Sequence, residues 1–151
     1  MDIEAHSLAE LDAVYKEAIL DLYRNPLNKK ILVDFDVQAR QVNPACGDDI
    51  TVQLKFDARE EQDQNTVADV GHSGQGCAIS QAAISLLTDH IKTKTLEQIR
   101  AITEKEMLEL LQIPINYTRM KCALLGWTTL QLITKITRTD FKNNFEMDSK
   151  H

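Results

Sequence analysis

Three cysteines and one aspartate carry the chemistry in this sequence. Cys46 and Asp48 lie in Asn43-Pro44-Ala45-Cys46-Gly47-Asp48, Cys77 in Gly74-Gln75-Gly76-Cys77, and Cys122 in Arg119-Met120-Lys121-Cys122. The chain has 3 cysteines in all. Each follows a different backbone device: a proline turn, a glycine loop, and the first turn of a predicted helix. Soft thiolates beside a hard carboxylate describe a metal or sulfur site rather than a disulfide framework. Zinc takes four such ligands tetrahedrally, at about 2.3 Å for sulfur and about 2.0–2.2 Å for oxygen. Three thiolates and a carboxylate on a divalent ion leave a double negative charge, which Arg119 and Lys121 can offset. Cys77 and Cys122 stand near predicted helix N-termini, where free N–H groups and the macrodipole favour a thiolate. On the other side, no CxxC pair is present, and free cysteines also serve as small buried hydrophobes. The glycine turns, and Asp48 two residues past Cys46, tip the balance toward a site.

Other motifs carry less. Gly71-His72-Ser73-Gly74-Gln75 approaches a nucleophile elbow, but Gln75 stands where the second glycine belongs and no acid–base partner is evident. The same glycine loop lacks the Gly-Lys-Ser/Thr ending of a phosphate cradle. His72 is a spare ligand or base at most, and a strand-end or surface position accounts for it as well. Trp127 is expected in the core, and Met107, Leu108, Leu110 and Leu111 as core or docking residues. His90 falls late in a helix, and His6 and His151 in the tails.

The elements that must position these residues follow from periodicity. Leu8, Leu11, Val14, Ala18, Ile19 and Leu22 recur at helical spacing until Asn25-Pro26 stops the helix. From Leu32 the period changes to two, with Val33, Phe35, Val37 and Ala39 alternating with polar residues. Ile50, Val52, Leu54 and Phe56 repeat it. Ala58–Asn65 reads as a hairpin loop and Thr66–His72 as a third strand. The first two strands join through the turn at 43–49, which places Cys46 and Asp48 at one end of the sheet. The glycine loop 71–76 returns to that same end. A helix over Cys77–Lys92 follows, then two short helices marked by Thr95 with Gln98 and Thr103 with Glu106. After Pro114 a last helix spans about Thr118–Thr137, with Cys122, Leu125, Thr129, Leu132 and Ile136 on one stripe. Strands followed by helices imply an α+β domain, a three-stranded antiparallel sheet packed against helices. The domain is expected over residues 1–138, with 139–151 a polar C-terminal tail that frays.

Bulk properties exclude several classes. At 151 residues, 43% hydrophobic and 26% charged, the chain is that of an ordinary single domain with a core of its own. A net charge of −6 argues against nucleic acid as the main partner. No run reaches the roughly 18–20 apolar residues of a membrane span. Met1-Asp2-Ile3-Glu4 lacks the basic and apolar stretches of a leader, and an odd cysteine count fits a reducing cytoplasm, so a cytoplasmic location is expected.

Taken together, the three cysteine motifs resemble the U-type iron–sulfur cluster assembly family, the IscU, SufU and NifU N-terminal group. Tyr23-Arg24-Asn25-Pro26 is similar to the end of its opening helix. Asn43–Asp48, Gly74–Ser80 and Arg119–Trp127 are similar to its three ligand loops, in the same order. The resemblance implies Cys46, Asp48, Cys77 and Cys122 as ligands of Zn2+ or of a [2Fe–2S] or [4Fe–4S] cluster. It implies Cys46 as the acceptor of persulfide sulfur from a cysteine desulfurase, with Arg119 docking that partner. Downstream iron–sulfur carriers or apo-protein acceptors complete the partners, with no nucleic acid and no membrane. Lys121 stands where IscU-type members have histidine, as in SufU-like members. The interval from Cys77 to Cys122, however, lacks the insertion usual in SufU-like members. Ile113-Pro114-Ile115 lies where IscU-type members carry the Leu-Pro-Pro-Val-Lys chaperone motif, which is missing here. The implied function is a scaffold or sulfur carrier rather than a turnover enzyme. The alternatives are a zinc-dependent sulfurtransferase that assembles no cluster on itself, and a structural zinc-binding interaction domain.

Overall fold

Helix α1 (Ser7–Arg24) ends just before Asn25-Pro26, where the periodicity predicts its stop. Proline restricts the residue before it and cannot donate an N–H, so the helix ends there. The computed structural model describes residues 7–58, 65–136 and 144–148. Most of the predicted hairpin loop at 58–65, His6 and His151 lie outside these. After α1 the chain bends along the β3 edge of the sheet, joined to it by one bridge at Lys29 and His72 and otherwise fixed by polar side chains. Leu27 N donates to Ser85 Oγ (3.2 Å), Asn28 Nδ2 to Thr88 Oγ1 (3.2 Å) and Lys29 Nζ to Gln81 Oε1 (3.0 Å).

Three antiparallel strands form the body of the sheet: β1 (Val37–Asn43), β2 (Asp48–Phe56) and β3 (Val67–Gln75). Val37, Ala39, Gln41 and Asn43 of β1 share the buried face with Asp48, Ile50, Val52, Leu54 and Phe56 of β2. The first strand starts later than its alternation predicts. Ile31 and Val33 are 74% and 102% exposed, and the first backbone bond to β2 is Asp36 N to Leu54 O (2.9 Å). A two-residue period marks which side chains share a face; it does not supply a neighbouring strand. Conversely, β3 continues through Gly71–Gln75, expected as a loop, because Asp49 to Gln53 of β2 offer that stretch a paired partner.

The C-terminal segment also departs from expectation. Of the polar tail past Thr139, Asn144–Asp148 forms β4, which pairs in parallel with β1 and gives the sheet order β3-β2-β1-β4. Phe145 and Met147 alternate with Asn144, Glu146 and Asp148. Five residues of alternation are too few to read alone, and the exposed edge of β1 is what selects them.

Helices cover one face of the sheet. Helix α2 (Ala78–His90) is buried along Ala82, Ala83, Ile84 and Leu87, and α5 (Met120–Thr134) packs on both α2 and β1. Each fully buried Leu or Ile here contributes on the order of 1.5–3 kcal/mol. Gln41 registers α5 on the sheet, its Oε1 lying 2.6 and 3.1 Å from the Thr128 and Thr129 hydroxyls. Two short helices, α3 (Leu96–Arg100) and α4 (Glu104–Leu111), start at Thr95 and Thr103 as predicted. Thr95 forms a full capping box with Gln98. Met107 and Leu111 are buried, and Trp127 packs against the core while its Nε1 donates to Ile102 O (2.9 Å).

His72 is neither a strand-end nor a surface residue. It is 1% exposed in the middle of β3, opposite Val52, and its Nε2 lies 2.8 Å from Leu27 O. That contact needs an N–H on Nε2, and its work is to hold the 27–28 segment against the sheet. Burial, opposed by the Leu27 contact, keeps the imidazole below its ordinary value of 6.5. The unfolded chain therefore binds this proton more readily than the folded one. The stabilisation from neutral His72 is full above pH 6.5 and is lost as pH falls toward the folded value. The urea midpoint of chelator-treated protein should accordingly fall between about pH 7.5 and about pH 5.5. His72→Gln, which keeps an N–H for Leu27 O, should flatten that dependence; an equal fall in both proteins would assign it to other groups.

Candidate metal centre

Cys46 sits in a tight connection between β1 and β2. The Asn43–Asp48 pair closes the ladder, Cys46 N donates to Asn43 O (3.2 Å), and Gly47 takes φ +69°. That left-handed conformation disfavours a side chain, so glycine at 47 lets the strand restart immediately with Asp48. Strand alternation then separates two adjacent acids. Asp48 points into the helical face and is fully buried, whereas Asp49 points to the other face and forms a bidentate pair with Arg40 (2.9 and 2.7 Å). The Arg40 hydrogen bonds hold the Asp49 carboxyl below the usual carboxylate range. Of the two acids, only Asp48 faces the cysteines.

The N-terminus of α2 receives Asp48. Cys77 is the N-cap; its backbone N–H donates to Asp48 Oδ1 (3.0 Å), and the Ser80 hydroxyl lies 3.1 Å from the same oxygen. Cys77 Sγ in turn accepts from Ser80 N (3.4 Å). Gly76 makes the approach possible, since a Cβ there would overlap Ser80 Oγ and come within 2.6 Å of Asp48 Oδ1. The other carboxylate oxygen, Oδ2, is buried with no hydrogen-bond partner.

Cys122, in the first turn of α5, completes the cluster from the opposite side. It is fully buried, and one ligand atom each from Cys46, Asp48 and Cys122 lies within 4.8 Å of the others. Burial pushes the Cys122 thiol up, and the nearby Cys46, Asp48 and Cys77 add to the rise. Arg119, exposed at the end of the 3-10 turn Tyr117–Arg119, has its pKa raised by the Cys122 sulfur beside it and by the charges of Cys77 and Cys46. Lys121 is exposed on α5.

Three of the four predicted ligands are therefore brought together, and the fourth, Cys77, holds Asp48 by its backbone. The donor set fits a soft divalent cation: two sulfurs, an orphaned buried carboxylate oxygen, and a third thiol at a helix N-terminus with a guanidinium alongside. Ser80 was not singled out by the sequence, although a hydroxyl three residues after an N-cap is a readable signal. Asn43 was not either, and nothing local marks it.

An α+β domain gathering thiolates and a buried carboxylate at one end of its sheet defines a class of protein that handles soft metals or sulfur. Residues 14–141 match the NifU-like N terminal domain, and the chain belongs to that family. It is 34% identical over 140 residues to the zinc-dependent sulfurtransferase SufU of Bacillus subtilis, covering 82% of this chain and 90% of that protein. It is 32% identical over 142 residues to the iron–sulfur cluster assembly scaffold protein IscU of Thermotoga maritima, covering 83% of this chain and 96% of that one. The fold matches the N-terminal part of a nitrogen-fixing NifU-like protein from Brucella abortus with a TM-score of 0.61. That match has 21% identity and covers 83% of this chain and 94% of the other.

Gly76→Ala should push Asp48 off the α2 N-terminus and lower zinc affinity by about tenfold or more, within the range seen when a ligand loses its supporting contacts. Competition against a chromophoric chelator measures this, and an unchanged affinity would show that the close approach at Gly76 is dispensable.

Proposed function

We propose that this chain works in iron–sulfur cluster assembly as a sulfur acceptor built on a zinc centre of Cys46, Asp48, Cys77 and Cys122. The observation that carries the reading is the orphaned Oδ2 of Asp48, in a carboxylate with an oxygen within 4.8 Å of the Cys46 and Cys122 sulfurs, while Oδ1 is engaged by Cys77 N–H and Ser80 Oγ. Such an atom is costly unless a cation takes it. Zinc held there would keep the thiols deprotonated at neutral pH and so supply the nucleophile.

The chain's own residues divide the work. Cys46 is the acceptor: it lies on a four-residue connection and is partly exposed, whereas Cys122 is fully buried and the Cys77 sulfur is engaged by Ser80 N–H. The Cys46 thiolate attacks the outer sulfur of a persulfide on a cysteine desulfurase. A new S–S bond forms to Cys46, the donor's S–S bond breaks, and the donor leaves as a thiolate. No external oxidant is needed, because the sulfur arrives already at the persulfide level. Arg119 balances the negative charge of the sulfurs and, being exposed, is available to a carboxylate of the partner. An apolar cleft of about 360 Å³ that Arg119 itself lines, with Ile19, Leu20, Ile79, Ile113 and Ile115, offers that partner a surface. Among the described residues no helix is long and apolar enough to cross a membrane.

A second reading, a scaffold on which iron and sulfide assemble as cargo, draws on the same carboxylate. Oxygen is a weaker ligand to such cargo than thiolate, so Asp48 gives the release step.

Anaerobic incubation with a cysteine desulfurase and cysteine, followed by native mass spectrometry and peptide mapping, separates the two. The expected outcome is one retained zinc and one added sulfur on Cys46, abolished by Cys46→Ser. Sulfur found only on Cys77 or Cys122 would overturn the acceptor assignment. An iron–sulfide mass replacing zinc when ferrous iron is added would favour the scaffold.

A further inference from the structure

Among the described residues, two buried side-chain atoms have no hydrogen-bond partner, and they are neighbours: Asp48 Oδ2 and Asn43 Nδ2. Asn43 is 3% exposed and pairs in register with Asp48 at the closed end of β1 and β2. Directly opposed residues of an antiparallel pair carry their side chains on one face, with Cβ atoms about 4.5–5.5 Å apart. One group is an acceptor and the other a donor, yet they do not satisfy each other. Asn43 is also tied to the acceptor loop, since its carbonyl receives the Cys46 N–H. Two residues along the same face, Gln41 spends its amide oxygen on Thr128 and Thr129 of α5, so this row of β1 runs beneath the helix that carries Cys122.

An amide N–H cannot bind a cation. Its complement is an electron-rich atom, and the side-chain atoms gathered within 4.8 Å of one another here are the sulfurs of Cys46 and Cys122 and a carboxylate oxygen of Asp48. Neither Asp48 Oδ2 nor either sulfur bonds the amide here; once Oδ2 is committed to a cation, a ligand sulfur is the electron-rich group left in the cluster for the N–H. We propose that Asn43 is a positioning residue of the metal centre: its side-chain N–H donates to an anionic sulfur held by Cys46 or Cys122. The contact withdraws electron density from that sulfur and orients it, so it tunes both metal affinity and thiolate reactivity. Burying an unpartnered donor is unfavourable, and the polypeptide retains it at the one place where ligand sulfur converges. This inference rests on the metal-centred reading above.

The test uses the full chain loaded with zinc or with Co2+, whose sulfur-to-metal charge-transfer band reports electron density on the ligand sulfurs. Asn43→Ala should lower zinc affinity by about 10–100-fold and move the Co2+ band to lower energy, because the sulfur lone pairs are no longer stabilised. Asn43→Ser, which restores an O–H donor, should recover part of both shifts. The melting temperature of the metal-free variants should change less than that of the loaded ones. If wild type binds Co2+ through sulfur and the variants show the same band and affinity, Asn43 makes no bond to sulfur and the inference fails alone. Equal loss of melting temperature with and without metal, with an unmoved band, assigns Asn43 to the fold only and also overturns it. If wild type shows no sulfur-to-cobalt band, the metal-centred reading fails and this inference with it.

Discussion

The Asp48 carboxylate clamped by the Cys77 N–H is the contact on which the centre depends. It ties the β1–β2 connection, where Cys46 lies, to the first turn of α2, where Cys77 lies. A buried carboxylate is tolerated only when its lone pairs are engaged. A helix N-terminus supplies that engagement cheaply, since its N–H groups have no intrahelical partner and the macrodipole favours negative charge. Ser80 adds a hydroxyl to the same oxygen, and Gly76 removes the side chain that would keep the strand and the helix apart. One oxygen thus serves the fold and leaves the other buried without a partner.

Electrostatics then sorts the charged neighbours. Two acids stand side by side in sequence, and the pleat sends them to opposite faces. Arg40 holds Asp49 away as an ion pair, so only one carboxylate enters the cluster. Arg119 supplies a compensating positive charge beside the Cys122 sulfur while exposed to solvent. Thiols and a carboxylate with one guanidinium alongside make an arrangement that suits a divalent cation.

Packing serves this end of the molecule from further away. The segment after α1 carries no ladder of its own and is held by Ser85, Thr88, Gln81 and His72, buried polar groups each matched to a backbone or side-chain partner. Gln41 does the same for α5. Matched polar contacts inside an apolar core fix register more sharply than apolar packing, since a slip leaves a donor or an acceptor unpaired. The row Gln41, Asn43 on β1 carries a satisfied and an unsatisfied amide within two residues.

The sequence by itself determined the elements with strong local signals: the stop of α1 at Asn25-Pro26, the threonine caps at 95 and 103, and the alternation of β2. It also determined the class of chemistry, because thiols and a carboxylate at glycine turns admit few other uses. The same signals misled where pairing decides the outcome. Val33 alternates as a strand residue and is fully exposed, while Gly71–Gln75 reads as a loop and lies in β3. Asn144–Asp148 reads as tail and adds a parallel edge strand. His72 reads as surface and is buried as a tether. Pairing and burial are non-local, so no window of residues contains them. Only the tertiary structure decided that Cys122 reaches Cys46 and Asp48, that Asp48 rather than Asp49 faces them, and that Asn43 lies unpartnered beside them. The physical reason is common to all three: ligand convergence and desolvation are properties of where elements meet, and the meeting is set by the sheet register and the helix packed upon it.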